Sequence, residues 1–311
     1  MTDTTIGPPG TYTMNVDGTA LTHIAGDGDT VDFVGPWGNK YIIGQTSGPS
    51  FLDYPQWSPD GQRILGQFTW AFEGYVIMIM NSDGSDKHVL DQVRSAARWP
   101  RWSPEGDKIL FMRSGYLGAV YAIGIVDASG ENDHDFIIAG VPPYIFEGDS
   151  IWFRGDVQWG PTGGEIYAAA SMNIRPVTYD TPNIEILSID SQTGIIRERV
   201  TRNDVSESAF HLSPDGKYVV FKTGKYGYPN TFHVIALETG VLTAIPVDNT
   251  VGFFWNWSND SKWIVFSKDE NPDPGRNEDQ SLYMVELDQP GKLIKLTSFF
   301  ARHPDLFIPE K

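Results

Sequence analysis

The side chains able to do chemistry are few, and they recur at matching places along the chain. There is no cysteine, so disulfides, thiolate metal sites, iron–sulfur clusters and Cys nucleophiles are excluded. Histidines stand at 23, 88, 134, 211, 233 and 303. His211 and His303 occupy repeated positions, and an imidazole titrates near neutrality, as a general base must. Two sets of residues share their positions. Gln56, Arg101, Gln158, His211, Asn256 and Asp305 each lie one residue before a recurring Trp or Leu. Tyr54, Trp99, Asp156, Ala209, Phe254 and His303 lie three residues before it. A few convergent polar groups among aromatics are what a ligand pocket needs. A separate candidate is KDENPDPGRNEDQ (268–280), where Asp269, Asn271 and Asp273 alternate as oxygen donors do in calcium loops. Gly275 falls at the seventh position, Pro274 intrudes and no Glu stands at the twelfth. An acidic solvated turn is therefore the plainer reading, with calcium as the alternative.

What must bring these residues together is a repeat. Five stretches align: YPQWSPDGQRILG (54–66), WPRWSPEGDKILF (99–111), DVQWGPTGGEIYA (156–168), AFHLSPDGKYVVF (209–221) and FWNWSNDSKWIVF (254–266). A sixth, HPDLF (303–307), begins the unit. The anchors Trp57, Trp102, Trp159, Leu212, Trp257 and Leu306 are 45, 57, 53, 45 and 49 residues apart, a period that indicates a repeat array. Within each unit, Ser-Pro-Asp-Gly makes a turn: Pro presets φ, Asp bonds nearby backbone N–H groups and Gly accepts positive φ. A second hairpin follows, as in YVIMIMNSDGSDKHVL (75–90) and FHVIALETGVLTAIPV (232–247). Each unit of about fifty residues thus reads as a four-stranded antiparallel meander.

One meander cannot bury both its faces, but a ring of them can, each sheet packing on the next. The fold class expected is all-β, a single domain over 1–311 forming a six-bladed β-propeller. Its repeats start near 54, 99, 156, 209 and 254. TYTMNVDGTALTHIA (11–25) reads as a second hairpin without its first, and 301–311 as an opening strand without its continuation. Together 11–50 and 301–311 make a composite blade closed by both ends, which removes exposed edges. VDFVGPWGNKYIIGQTSG (31–48) resembles another first hairpin, so it supplies a strand of the composite blade, forms an insertion, or raises the count to seven. VPPYIFEGDSIWF (141–153) reads as an insertion covering a channel mouth or blade edge. First strands line the channel of a ring. If the anchors point into the packing between blades, strand alternation turns the preceding polar residues inward. The anchors themselves read as core, since large aromatics supply most of such burial.

The W-S-P-D-G hairpin of Trp57–Gly61, with Ser213–Gly216, and the M-N-x-D-G hairpin of Met80–Gly84 and Met14–Gly18 resemble those of the TolB-type β-propeller family. The likeness covers nearly the whole chain. It implies the propeller fold and one of several roles: protein docking in the bacterial envelope, an accessory domain of a serine peptidase, or a stand-alone enzyme such as an oligogalacturonate lyase. Fold does not choose among them. TolB carries a further α/β domain that finds no room here. Neither GxSxG nor HExxH occurs, and the lyases' metal-binding His cluster does not map onto the six His.

The formal charge is −17, which opposes nucleic acid and anionic lipid and favours cationic ligands. No apolar run approaches a membrane span, and MTDTTIGPPG has no signal-peptide pattern. The expectation is a monomeric, non-enzymatic propeller that binds a protein or peptide through its channel face, with no cofactor unless calcium. A sugar or small molecule is a further possible ligand. The alternative is a carbohydrate- or metabolite-acting hydrolase or lyase at the channel mouth, with His211 or His303 as base. A third reading is a structural channel whose charges pair across blades, Arg101 with Asp156 or Asp305. Family habit places the chain in the periplasm or outside the cell as a mature segment; the cytoplasm is the alternative.

Overall fold

The computed structural model describes residues 10–17, 19–26, 32–34, 40–42, 52–70, 74–90, 97–114, 120–129, 133–139, 144–172, 184–202, 208–223, 231–247, 251–269, 280–297 and 304–308. All regular structure among them is strand. Two hairpins come first: β1 (Gly10–Thr13) with β2 (Thr22–Gly26), and β3 (Asp32–Val34) with β4 (Lys40–Ile42). Then comes a four-stranded sheet, β5 (Asp53–Trp57), β6 (Arg63–Trp70), β7 (Gly74–Asn81) and β8 (His88–Val89). The next contains β9 (Ala97–Trp102), β10 (Lys108–Ser114), β11 (Val120–Asp127) and β12 (Asp133–Ala139). The third has five strands: β13 (Tyr144–Phe146), β14 (Asp149–Trp159), β15 (Glu165–Met172), β16 (Ile184–Asp190) and β17 (Ile196–Arg199). The fourth is β18 (Ser208–Leu212), β19 (Tyr218–Thr223), β20 (Thr231–Ala236) and β21 (Leu242–Ile245). The fifth is β22 (Val251–Trp257), β23 (Trp263–Asp269), β24 (Gln280–Glu286) and β25 (Leu293–Lys295). Each is a meander of sequence-adjacent strands, as the repeat predicts. The insertion at 141–153 supplies β13, which pairs with β14 on the side opposite β15. The segment 31–48 supplies the β3–β4 hairpin, a separate small sheet with β3 beside β8.

The Ser-Pro-Asp-Gly turns owe their shape to the serine as much as to the aspartate. Ser58 is buried, donates its hydroxyl to Asp60 and accepts the Arg63 N–H at 2.9 Å. Asp60 in turn accepts the Gln62 N–H at 3.0 Å, and Gly61 takes φ 68°. Ser213 with Asp215 and Ser258 with Asp260 repeat the arrangement. In WSPEGD the longer Glu105 does not take this place; Ser103 donates to Asp107 at 2.8 Å instead. The M-N-x-D-G turns are likewise built alike. Asn81 Nδ2 donates to Ser85 Oγ at 2.9 Å and the Ser85 N–H to Asp83, just as Asn15 donates to Thr19 and Thr19 to Asp17.

By contact the chain forms two compact units, 1–100 with 250–311, and 101–249. Within the second, β15 and β16 pack face-on against β18 and β19: Ala169, Ile184 and Ile186 meet Phe210, Leu212, Val219 and Phe221. Burying such faces is the chief stabilising term. Within the first, Ile24 and Ala25 of β2 join Ile64, Met78, Met80 and Trp57 of the β5–β8 sheet. The segment 304–308 lies between two sheets. Leu306 and Ile308 pack on Val265 and Met284, Leu306 bridges Ser258 in parallel, and Asn259 bonds both the N–H and C=O of Ile308. On its other side the Phe307 ring lies 5.9 Å from Trp57 and against Gly61, where a Cβ would come within 2.6 Å of it.

Candidate functional site

Within each unit, polar residues one place before the anchors bind groups of the neighbouring strand. In the second unit Gln158 is buried; its amide donates to Phe210 O at 2.9 Å and accepts the Leu212 N–H at 2.9 Å. It thus grips the backbone on both sides of His211. The Trp159 indole donates to Arg101 O at 3.2 Å, so Arg101, Gln158 and His211 lie on successive neighbouring first strands. In the first unit Asp305 accepts the Trp57 N–H at 2.7 Å and Asn256 Nδ2 at 2.7 Å. Asn256 also accepts the Trp257 N–H at 3.0 Å. Gln56, next to Trp57, is buried. These side chains satisfy backbone groups at the seam between sheets, which would otherwise be buried without partners at a cost of about 1–3 kcal/mol each. The anchors Trp102, Leu212, Trp257 and Leu306 are buried as core, with Trp57 and Trp159 half-buried.

The positions three before the anchor behave differently. Tyr54, Trp99 and Ala209 take φ of 54°, 53° and 51°, left-handed values unusual for residues other than glycine. Here the first strand carries extra residues relative to the second. Asp53 pairs Gln67 and Gln56 pairs Leu65; Ser208 pairs Lys222 and His211 pairs Val220. The register breaks at the same place before Val157 and Trp255. A bulge of this kind re-aims side chains, so simple alternation does not carry past it. The orientation of this set therefore does not follow from alternation alone. Tyr54 and Trp99 are half-buried, and the Trp99 N–H is held by the buried Gln67 at 3.1 Å. The Arg98 guanidinium lies 5.9 Å over the Trp99 ring. The side chains of Asp156 and Phe254, and His303, Asn271 and Asp273 entirely, lie outside the described residues. Asp269 ends β23, half-buried. No three His, Asp or Glu side chains among the described residues gather as a metal site.

Sequence reasoning missed Lys222. It is 5% exposed on β19, and burial pushes its amine down to about 8. The signal was available: a lysine stands directly after Tyr218-Val219-Val220-Phe221, ten residues past the anchor, where Gln67 and Ser267 stand in other repeats. It missed Glu185 as well, a buried carboxylate bonded by Arg199 at 3.0 Å.

Solved structures share this architecture. A TolB-type protein of Agrobacterium tumefaciens matches with TM-score 0.57 and 19% identity over 83% of this chain and 84% of that one. TolB from Acinetobacter baumannii matches with TM-score 0.58 and 16% identity over 87% of this chain, which spans 60% of that protein. Oligogalacturonate lyase from Vibrio parahaemolyticus matches with TM-score 0.54 and 11% identity over 88% of this chain and 86% of that one. No protein-family model and no curated protein matches the sequence. The fold is an all-β propeller. At such identities the likeness concerns the fold alone.

Proposed function

We propose that the chain is a single six-bladed propeller domain, its sixth blade composed from 11–50 and 301–311, and that it is an exported, non-enzymatic module binding a protein or peptide through its channel face. The placement of 304–308 between two sheets supports the composite blade. The binding role rests on one observation: Tyr54 and Trp99, each followed by proline, are held in left-handed bulges at equivalent places of two repeats. Such a conformation costs about 1–3 kcal/mol, persists only where surroundings impose it, and gathers at binding sites. The flanking prolines raise the restriction further. With −17 net charge the preferred partner is a basic extended segment.

The test is calorimetric titration and thermal shift with extended peptides, basic against acidic. Binding should favour the basic set, and Tyr54→Ala with Trp99→Ala should weaken it about tenfold or more, as lost aromatic anchors do. Equal binding by the double variant, or no thermal shift with any peptide, refutes the reading. A carbohydrate- or metabolite-acting enzyme is the second reading, favoured by the hold of Gln158 on the backbone around His211. Turnover of a sugar substrate lost in His211→Ala would establish it.

A further inference from the structure

β17 and β21 meet the same problem with different chemistry. Each is the last strand of its sheet, and each follows the same turn, Thr193-Gly194-Ile195 or Thr239-Gly240-Val241. The residue after the glycine is exposed in both, Ile195 at 64% and Val241 at 58%. Beyond it they diverge. β17 reads Ile196-Arg197-Glu198-Arg199; Arg197 pairs with Glu165 at 2.9 Å and with Asp190, and Arg199 pairs with Glu185. β21 reads Leu242-Thr243-Ala244-Ile245, with Leu242 at 44% exposure and Thr243 and Ala244 exposed as well. The uncharged run extends from 239 to 247, bounded by Glu238 and Asp248. β25 ends on Lys295, and Asp86 and Lys87 precede β8. An edge strand offers unpaired backbone groups, and natural sheets blunt it with charge. β21 bonds β20 on one side, no described strand pairs with its other side, and its sequence carries no such charge.

We propose that β21 is a self-association edge, and that its occupant is the β21 of a second copy, paired antiparallel about a two-fold axis. Two copies carrying −17 each repel wherever charged surfaces face, and this edge is charge-free over nine residues. The strand is self-complementary. With the axis at Thr243, Leu242 faces Ala244 of the other copy and Val241 faces Ile245; within 239–247 no charges meet, and the acidic bounds Glu238 and Asp248 face one another only at the ends. A basic foreign strand would find no carboxylate on it to pair with. The joined sheet runs through both copies of β18–β21. The contact is small, so the association is weak, and screening of the mutual repulsion strengthens it as salt rises.

Sedimentation equilibrium of the full chain tests this. The dimer fraction is expected to grow with protein up to about 1 mM, and to be larger in about 0.5 M than in 0.05 M salt. Thr243→Arg with Ala244→Glu copies the solution β17 already uses. It should weaken association at least about tenfold and leave the melting temperature nearly unchanged, while Ile195→Lys leaves association intact. A wild-type chain that stays monomeric under all these conditions overturns the proposal, as does a charged variant that associates equally. Should that variant misfold, amide exchange on the wild type decides: protection at 241–245 must rise with concentration, and its absence refutes the pairing.

Discussion

Asp305 bridges two sheets with two short hydrogen bonds, and its removal measures the clasp directly. In Asp305→Ala the Trp57 N–H and Asn256 Nδ2 both lose an acceptor 2.7 Å away. Bonds to a charged acceptor contribute about 1.5–3 kcal/mol each; both donors are part-buried, so water recovers some of this, and a loss of about 2–4 kcal/mol is expected. For a domain of this size that lowers the thermal midpoint by about 3–6 °C. Asp305→Asn keeps one acceptor oxygen and should lose about half as much. Leu306, Phe307 and the Asn259 bonds to Ile308 stay in place in both variants, so the change reports the carboxylate and not the segment. Asn256→Ala completes a double-mutant cycle that removes the separate cost of its own bond to the Trp257 N–H. A coupling energy of about 1 kcal/mol or more is expected for residues in one network. Midpoints of both Asp305 variants within about 1 °C of wild type, or zero coupling, would refute the clasp.

Other outcomes follow from the same geometry. Gly84→Ala places a Cβ 2.3 Å from the Ile24 carbonyl at φ 83° and should cost about 2–4 kcal/mol in urea unfolding; Gly240→Ala, at φ 69° with nothing within 4 Å, should cost only about 1 kcal/mol. Ser58→Ala removes the bond that chiefly lowers the Asp60 carboxyl, and should cost about 1–2 kcal/mol at neutral pH. Because the folded pKa of Asp60 is depressed, its contribution is present above the ordinary carboxylate value of 3.8 and lost as pH falls below it, so the variant's deficit should shrink in acid unfolding series. Burial holds the Lys222 amine at about 8 against an ordinary 10.5, so the unfolded chain binds the extra proton between those values and stability rises with pH across that window. Lys222→Met should abolish that slope; its persistence would place the effect elsewhere.

The sheets were legible because their signals are local and repeated. Ser-Pro-Asp-Gly carries its own turn geometry, and Tyr218-Val219-Val220-Phe221 or Ile184-Glu185-Ile186-Leu187 carries strand content in its side chains. The role of Ser58 was less visible. Hydroxyl bonding to an Asp two residues on is a three-dimensional fact, and serine in a turn reads merely as polar. The bulges were not legible at all. Tyr54, Trp99 and Ala209 share no side-chain property, and aromatic residues give no sequence warning of φ near 50°. Their conformation comes from pairing with the second strand and from neighbours such as Gln67, which lies 32 residues before Trp99. The strand β13 was invisible for another reason. Tyr144-Ile145-Phe146 is too short to display a period, and only the Glu147-Gly148 turn, at φ 52° and 88°, marks the hairpin.

The chemistry of the residues before the anchors separates the seam from the candidate site. A neighbouring strand offers both N–H and C=O groups, so a side chain that spans it must donate and accept, and Gln158 does both, to Phe210 O and from the Leu212 N–H. A carboxylate can only accept. Asp305 therefore works where two donors converge, and Asn256 supplies the second of them. The amide and acid types at these places are thus fixed by what the adjoining strand presents, and no ligand is needed to account for Gln158, Asn256 or Asp305. That argument fails at Tyr54 and Trp99. An aromatic ring adds nothing to a left-handed backbone that a glycine would not supply at less strain. Ala209 occupies the same bulge in another repeat with no ring at all. The bulge itself therefore does not require a ring, and at Trp99 the ring instead carries the Arg98 guanidinium 5.9 Å over its face.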